Sequence, residues 1–221
     1  MSTIKQFEQK INHVFKDKTL IETALTHSSV SRRTNYERLE FLGDRVLGLV
    51  IAQHLYKRFP DEQEGPLAKR LAALVQGSLL AEIAYEMQLG QYIQFSESEK
   101  AAGGADNAHI LADVFESMIG ALYLDAGFEP CRNLIEQYWS DRFDKMIDPP
   151  MHPKTTVQEW AQSQSLPLPA YEIAEQSGPD HAPIFVMELT VEGFPPTRAE
   201  GKSRQSAEKA AATKFIEKNI T

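Results

Sequence analysis

The chain has 221 residues, 42% of them hydrophobic and 24% charged, which is the composition of a soluble globular protein of one or two domains with ample length for a core. No apolar run approaches membrane-spanning length, the first fifteen residues lack the basic and apolar regions of a signal peptide, and the lone Cys131 excludes an internal disulfide or a cysteine-based zinc site. A reducing cytoplasm is the expected compartment, and the net charge of −8 argues against a nucleic-acid partner unless a basic surface is local.

Residues 3–30 carry Ile4, Phe7, Ile11, Val14, Leu20, Ile21 and Leu25 at helical spacing and end in Thr26-His-Ser-Ser-Val-Ser31. No GxSxG elbow surrounds that histidine, so a loop with capping hydroxyls is the expectation. Residues 36–52 predict a long helix that stops near Phe59, before Pro60. Leu39, Leu42, Val46, Leu49 and Val50 should face a core, and Thr34-Asn35-Tyr36-Glu37 fits a capping box. Residues 67–89 read as one Ala/Leu-rich helix capped by Gly90. Residues 96–108 read as a loop without phosphate-loop spacing, 110–120 as a second long helix, and 128–147 as a last one with Trp139 and Phe143 in the core.

Carboxylates interrupt the two most apolar helices. Glu37, Glu40 and Asp44 share a face of the first, and Asp113 and Glu116 stand one turn apart on the second. Most acidic pairs at such spacing are solvated surface. If the two faces meet, however, Glu40, Asp44, Asp113 and Glu116 form an all-oxygen ligand set suited to a hard cation such as Mg²⁺. His13, His27, His54, His109 and His152 show no HxxxH or HExxH spacing, so zinc is not expected.

Asp148-Pro-Pro-Met-His-Pro153 reads as an extended connector. Beyond it the period changes: helix at 155–164, strands at 170–175, 184–191 and 194–200, and helix at 206–218, an α-β-β-β-α order. Lys202, Ser203, Arg204 and Lys209 cluster at or beside the start of the last helix, where backbone N–H groups favour phosphate. Gln158 and His181 could reach 2′-hydroxyls across an A-form minor groove. Residues 154–221 hold 7 Lys and Arg against 9 Asp and Glu, so weak, salt-sensitive binding is expected. A Walker A reading of Gly201-Lys202-Ser203 fails at Pro196.

Glu37-Arg-Leu-Glu-Phe-Leu-Gly-Asp44 matches the signature of the ribonuclease III family, and Ile110-Leu-Ala-Asp-Val-Phe-Glu116 resembles its second acidic motif. Lys154-Thr-Thr-Val-Gln-Glu-Trp160, Gly178-Pro-Asp-His-Ala-Pro-Ile-Phe185 and the segment from Gly201 to Ala212 resemble a double-stranded-RNA-binding domain. The resemblance implies an all-α endonuclease domain at 1–147, a linker at 148–153 and an α+β RNA-binding domain at 154–221. It implies metal-dependent hydrolysis of double-stranded RNA, leaving 5′-phosphate and 3′-hydroxyl ends with short 3′ overhangs. Mg²⁺ is the expected ion and Mn²⁺ a substitute, held by Glu40, Asp44, Asp113 and Glu116, with Asp44 and Glu116 most essential. A homodimer is implied, with Phe41 a candidate dimer contact against the alternative of a core position. Implied substrates are ribosomal RNA precursors, with messenger and transfer RNAs besides. Two departures stand out: Arg45 where the family often has Ser, and Gln205-Ser206 where it often has basic residues. The competing reading is a non-cleaving double-stranded-RNA-binding factor, and the intact carboxylates at all four positions argue against it.

Overall fold

A computed structural model describes residues 3–146, 149, 152–179 and 182–220, and the chain divides into two compact units, Met1–Pro150 and Met151–Thr221. The first unit is helical: α1 (Thr3–Lys10), α2 (Lys18–Ala24), α3 (Glu37–Arg58), α4 (Glu64–Leu74), α5 (Gly77–Glu86), α6 (Glu97–Ala101), α7 (Ala108–Ala126) and α8 (Phe128–Lys145). Helix α7 is its axis. Ile110, Leu111, Val114, Phe115, Met118, Ile119 and Leu122 point to different sides of it and all are buried, as expected of a helix enclosed by others.

Helix α3 lies directly against α7, and two glycines permit it. A Cβ on Gly43 would sit 1.7 Å from the Glu116 carbonyl oxygen, and one on Gly120 2.2 Å from that of Leu39. The backbones therefore touch at two points, which fixes the depth and register of the pair. Polar anchors hold the other helices: the Ser117 hydroxyl donates to the Ala24 carbonyl at 2.7 Å, and the Trp139 indole N–H donates to that of Leu74 at 2.9 Å. Arg70 is fully buried, its guanidinium bidentate on Glu62 at 2.6 and 2.9 Å and over the Phe59 ring at 3.7 Å.

Several expectations are corrected. The helix expected over 67–89 is two helices, because the chain extends at Gln76 (ψ 139°) so that Leu74, Leu80 and Ile83 can all reach the core. The left-handed turn after α5 falls on Gln88 (φ 51°) and not on Gly90. Gly90 is needed for another reason: a Cβ there would meet the Ala105 carbonyl oxygen at 2.2 Å. The expected loop at 96–108 contains α6 and a 3₁₀ turn, and its Asn107 side chain caps α7. The capping box at α3 does not form; the Glu37 N–H donates to the Asn35 side-chain oxygen at 3.1 Å instead. Leu49, expected to face the core, is 59% exposed and lines an open cleft with Tyr123 and Phe128 instead.

The second unit comprises α9 (Pro153–Ser163), β1 (Ala170–Ser177), β2 (Ile184–Thr190), β3 (Thr197–Gly201) and α10 (Arg204–Asn219). Pro153 opens α9 because its fixed φ and missing donor suit a first helical turn. The strands form an antiparallel sheet in the order β1-β2-β3, with Ile173 opposite Met187, Met187 opposite Ala199, and a bulge after Ile173. Leu189 and Val191 pack with Val157, Ala211, Ala212 and Phe215, and Met187, Ala161 and Ala207 are buried as well; the small alanines let α10 settle close to the sheet. Strand β3 starts at Thr197, later than expected, because Pro195 and Pro196 cannot donate to a ladder.

Gly43→Ala should destabilise the protein by about 1–3 kcal/mol, since backbone cannot move aside as a side chain can. Gly65→Ala, on the exposed side of α4 with nothing within 4 Å, should leave the melting temperature unchanged or slightly raised. Thermal denaturation followed by circular dichroism checks the contrast; equal effects would contradict the close approach.

Candidate active site

The contact of α3 with α7 determines where the carboxylates lie. Glu40 falls in the first turn of α3, where the helix dipole favours a negative charge. Asp113 and Glu116 project from one face of α7, and each of the three offers an oxygen within 4.8 Å of the other two. The Tyr36 hydroxyl, one turn before Glu40, donates to Asp113 at 3.5 Å. Tyr36 lies outside the acidic motifs, and its i, i+4 relation to Glu40 is the one sequence feature that points to it.

The electrostatics are those of crowded like charges. Burial, and then the neighbouring Glu40 and Asp113 charges, push the Glu116 carboxyl up to about 7, with Arg45 opposing the rise. Burial also raises Glu40, helped by Asp113 and Glu37. Asp113 is raised by burial against the Tyr36 hydrogen bond and the positive influence of His109 and His27. Three acids that all resist ionisation, converging from two helices, make a donor set that a divalent cation would relieve. The residues therefore fit a hard metal ion.

Asp44, the fourth expected ligand, is not within this cluster. It is partly exposed and its carboxylate pairs with the guanidinium of the adjacent Arg45. Arg45 in turn lies over the Phe41 ring, 5.2 Å from its centroid. Phe41 is 67% exposed, which removes the core alternative for it. Phe41 also lines a cavity of 840 Å³, together with Leu39, Leu42, Leu124, Arg33 and Arg38 among others; of the carboxylates on the acidic face only Glu37 reaches it. The serines after His27 act as a loop: the Ser29 hydroxyl bonds the His27 ring at 2.9 Å, and Ser31 accepts the Thr34 N–H at 3.1 Å.

In the second unit Lys202, Ser203, Arg204 and Lys209 are exposed at the start of α10. Ser203 is the N-cap, accepting the Ser206 N–H at 3.1 Å, while its own N–H donates to the Ser206 hydroxyl at 2.9 Å. The serine standing where the family often has a basic residue thus closes a capping box. Gln158 is exposed on α9 beside a shallow groove lined by Lys154, Leu168 and Tyr171. Lys154 is tied to Glu208 and lies over the Tyr171 ring. His181, the other residue expected to reach RNA, lies outside the described residues.

Residues 17–142 match the family model described as Ribonuclease-III-like, and residues 153–219 match the Double-stranded RNA binding motif. Ribonuclease 3 of Caulobacter vibrioides is 44% identical over 223 residues, spanning 99% of this chain and 96% of that protein. Ribonuclease 3 of Methylocella silvestris is 45% identical over 215 residues, spanning 96% and 91%. The crystal structure of the nuclease domain of ribonuclease III from Campylobacter jejuni superposes with a TM-score of 0.61 at 42% identity, covering 65% of this chain and 97% of that domain. With a nuclease fold organised around paired acidic helices and a C-terminal RNA-binding motif, the chain belongs to the ribonuclease III family of metal-dependent endoribonucleases.

Proposed function

We propose that this endoribonuclease cuts double-stranded RNA in a Mg²⁺-dependent reaction, with Glu40, Asp44, Asp113 and Glu116 as ligands and Mn²⁺ as a substitute ion. The observation that carries the reading is the convergence of three carboxylate oxygens within 4.8 Å from the two helices that bear the family's acidic motifs. When bound, the ion supplies a Lewis acid that activates water for attack on a phosphodiester and balances charge on the departing 3′-oxygen. The chain's own residues prepare that chemistry. Glu116 must give up the proton that burial favours on it, and Tyr36 holds Asp113 in orientation by its hydrogen bond. Gly43 and Gly120 hold the helices at the separation that lets both acidic faces contribute. Hydrolysis leaves a 5′-phosphate and a 3′-hydroxyl.

The exposed cations at the start of α10, with Gln158 on α9, support binding of A-form duplex through phosphates and the minor groove. Electrostatic attraction from so few cations should be strongly weakened by salt. A homodimer is supported by Phe41, Leu49 and Leu124, exposed apolar side chains of the helical unit, and by the cavity that Phe41 and Leu124 line. A solved ribonuclease III nuclease domain from Campylobacter jejuni is described as having a region involved in dimer formation. Two sites on one duplex would cut opposite strands and leave short 3′ overhangs. Structured ribosomal RNA precursors, and some messenger and transfer RNAs, are the proposed substrates. Among the described residues no helix is long and apolar enough to cross a membrane, and the buried Cys131, whose thiol burial pushes up to about 12, suits a reducing cytoplasm.

End-labelled, perfectly paired RNA should yield discrete fragments with Mg²⁺ and none with chelator. Glu116→Gln should abolish cleavage yet still retard the duplex in a gel. Loss of both cleavage and retardation would contradict the role given to Glu116, and uncut, retarded RNA in every lane would favour a binding factor without nuclease activity.

The ion-free protein should also show a signature of Glu116. Its carboxyl titrates near 7 in the folded state against 4.5 ordinarily, so between these values the folded chain keeps a proton the unfolded chain has released. Stability therefore falls as pH rises through this window, and that contribution is gone above about 7. Melting curves in chelator should decline from pH 5 to 8, less steeply in Glu116→Gln; an identical decline in both proteins would contradict the charge crowding.

A further inference from the structure

The four carboxylates read as ligands do not behave alike. Glu40, Asp113 and Glu116 converge, while Asp44, one turn after Glu40 on the same helix, is held by Arg45. The guanidinium has a second support, because Phe41 stands one turn before Arg45 and its ring lies beneath at 5.2 Å. Arginine stays charged at every working pH and presents a planar fork of donors matched to a carboxylate. Arg45 is also 65% exposed, so it can swing into water without a large desolvation cost.

We propose that Arg45 is the resident counter-cation of the ion-free site: it holds the Asp44 carboxylate apart from Glu40, Asp113 and Glu116, and a divalent ion recruits Asp44 only by displacing it. The proposal rests on the reading of these carboxylates as metal ligands. It makes Arg45 a positioning residue that acts through Asp44. Its physical logic is charge. A fourth carboxylate brought against three whose oxygens already lie within 4.8 Å of one another would add like-charge repulsion, whereas on Arg45 the same carboxylate is neutralised. Because binding must break the pair, ion affinity is reduced by the strength of the pair. For exposed ion pairs that strength corresponds to roughly a two- to fivefold change in affinity.

The test is Mn²⁺ binding without RNA, read as free Mn²⁺ by electron paramagnetic resonance, in the unmodified protein, Arg45→Gln, Asp44→Asn and the double variant. Arg45→Gln should tighten binding roughly two- to fivefold where Asp44 is present and leave it unchanged in the Asp44→Asn background. Equal tightening in both backgrounds would mean that Arg45 acts only by its general charge, and would overturn the proposal. Binding in the unmodified protein with no effect of Arg45→Gln overturns the proposal alone. Failure of the unmodified protein to bind Mn²⁺ overturns the ligand reading and the proposal with it.

Discussion

The backbone contact between α3 and α7 is the constraint on which the rest depends. At Gly43 and Gly120 each helix offers the other a surface without a side chain, and in each case a Cβ would lie within 2.2 Å of a partner carbonyl oxygen. Two such contacts leave the pair little freedom to slide or rotate. Packing of this kind does more than fill space, because it sets the spacing between groups that the helices carry. Glu40 enters from one backbone and Asp113 with Glu116 from the other, and their oxygens converge because the backbones do. Even the carbonyl that a Gly43 side chain would strike belongs to Glu116. Scaffold and site share the same residues.

That arrangement works against the stability of the ion-free fold. Carboxyls are gathered where burial pushes all three upward, with neighbouring carboxylates adding to the rise of Glu40 and of Glu116, the latter at about 7. The large buried surface around α7 offsets this locally unfavourable charge. Elsewhere in the same unit the acids behave in the opposite way. Asp125 is held below the usual carboxylate range, with His13 at 2.8 Å and the backbone N–H groups of Lys16 and Asp17 overcoming its burial. Glu62 is likewise lowered by Arg70. Asp125 and Glu62 are matched with donors that outweigh any burial, whereas Glu40, Asp113 and Glu116 stay raised even though Tyr36 gives Asp113 a hydrogen bond. Carboxyls kept raised in this way mark a candidate functional site.

The sequence made the α3–α7 site largely legible, because spacing along a helix is itself geometry. Asp113 and Glu116, three residues apart, share a face in any helix, and the apolar residues around them put that helix in a core, although spacing alone left the acidic face itself as readily solvated. The change of period after residue 153 likewise separated a helical unit from one built on a sheet. What stayed hidden depended on contacts across the chain. The break at Gln76 carries no proline, and Gly77 beside it is a weak signal; it separates α4 from α5 so that Leu74 and the Leu80–Ile83 face can each be buried. Leu49 fits the apolar period of α3, yet no period says whether a neighbour covers it. The pairing of Asp44 with Arg45 is a side-chain choice between two charged environments, and spacing has no bearing on that choice.

The approach of α3 to α7 brings carboxylates of two helices together, and on the proposed reading they hold one divalent ion. Anomalous diffraction from crystals soaked in Mn²⁺ locates that ion without reference to activity. An anomalous peak is expected within bonding distance of Glu40, Asp113 and Glu116. A peak held by other residues, or none at these three when Mn²⁺ is bound elsewhere, would contradict that reading.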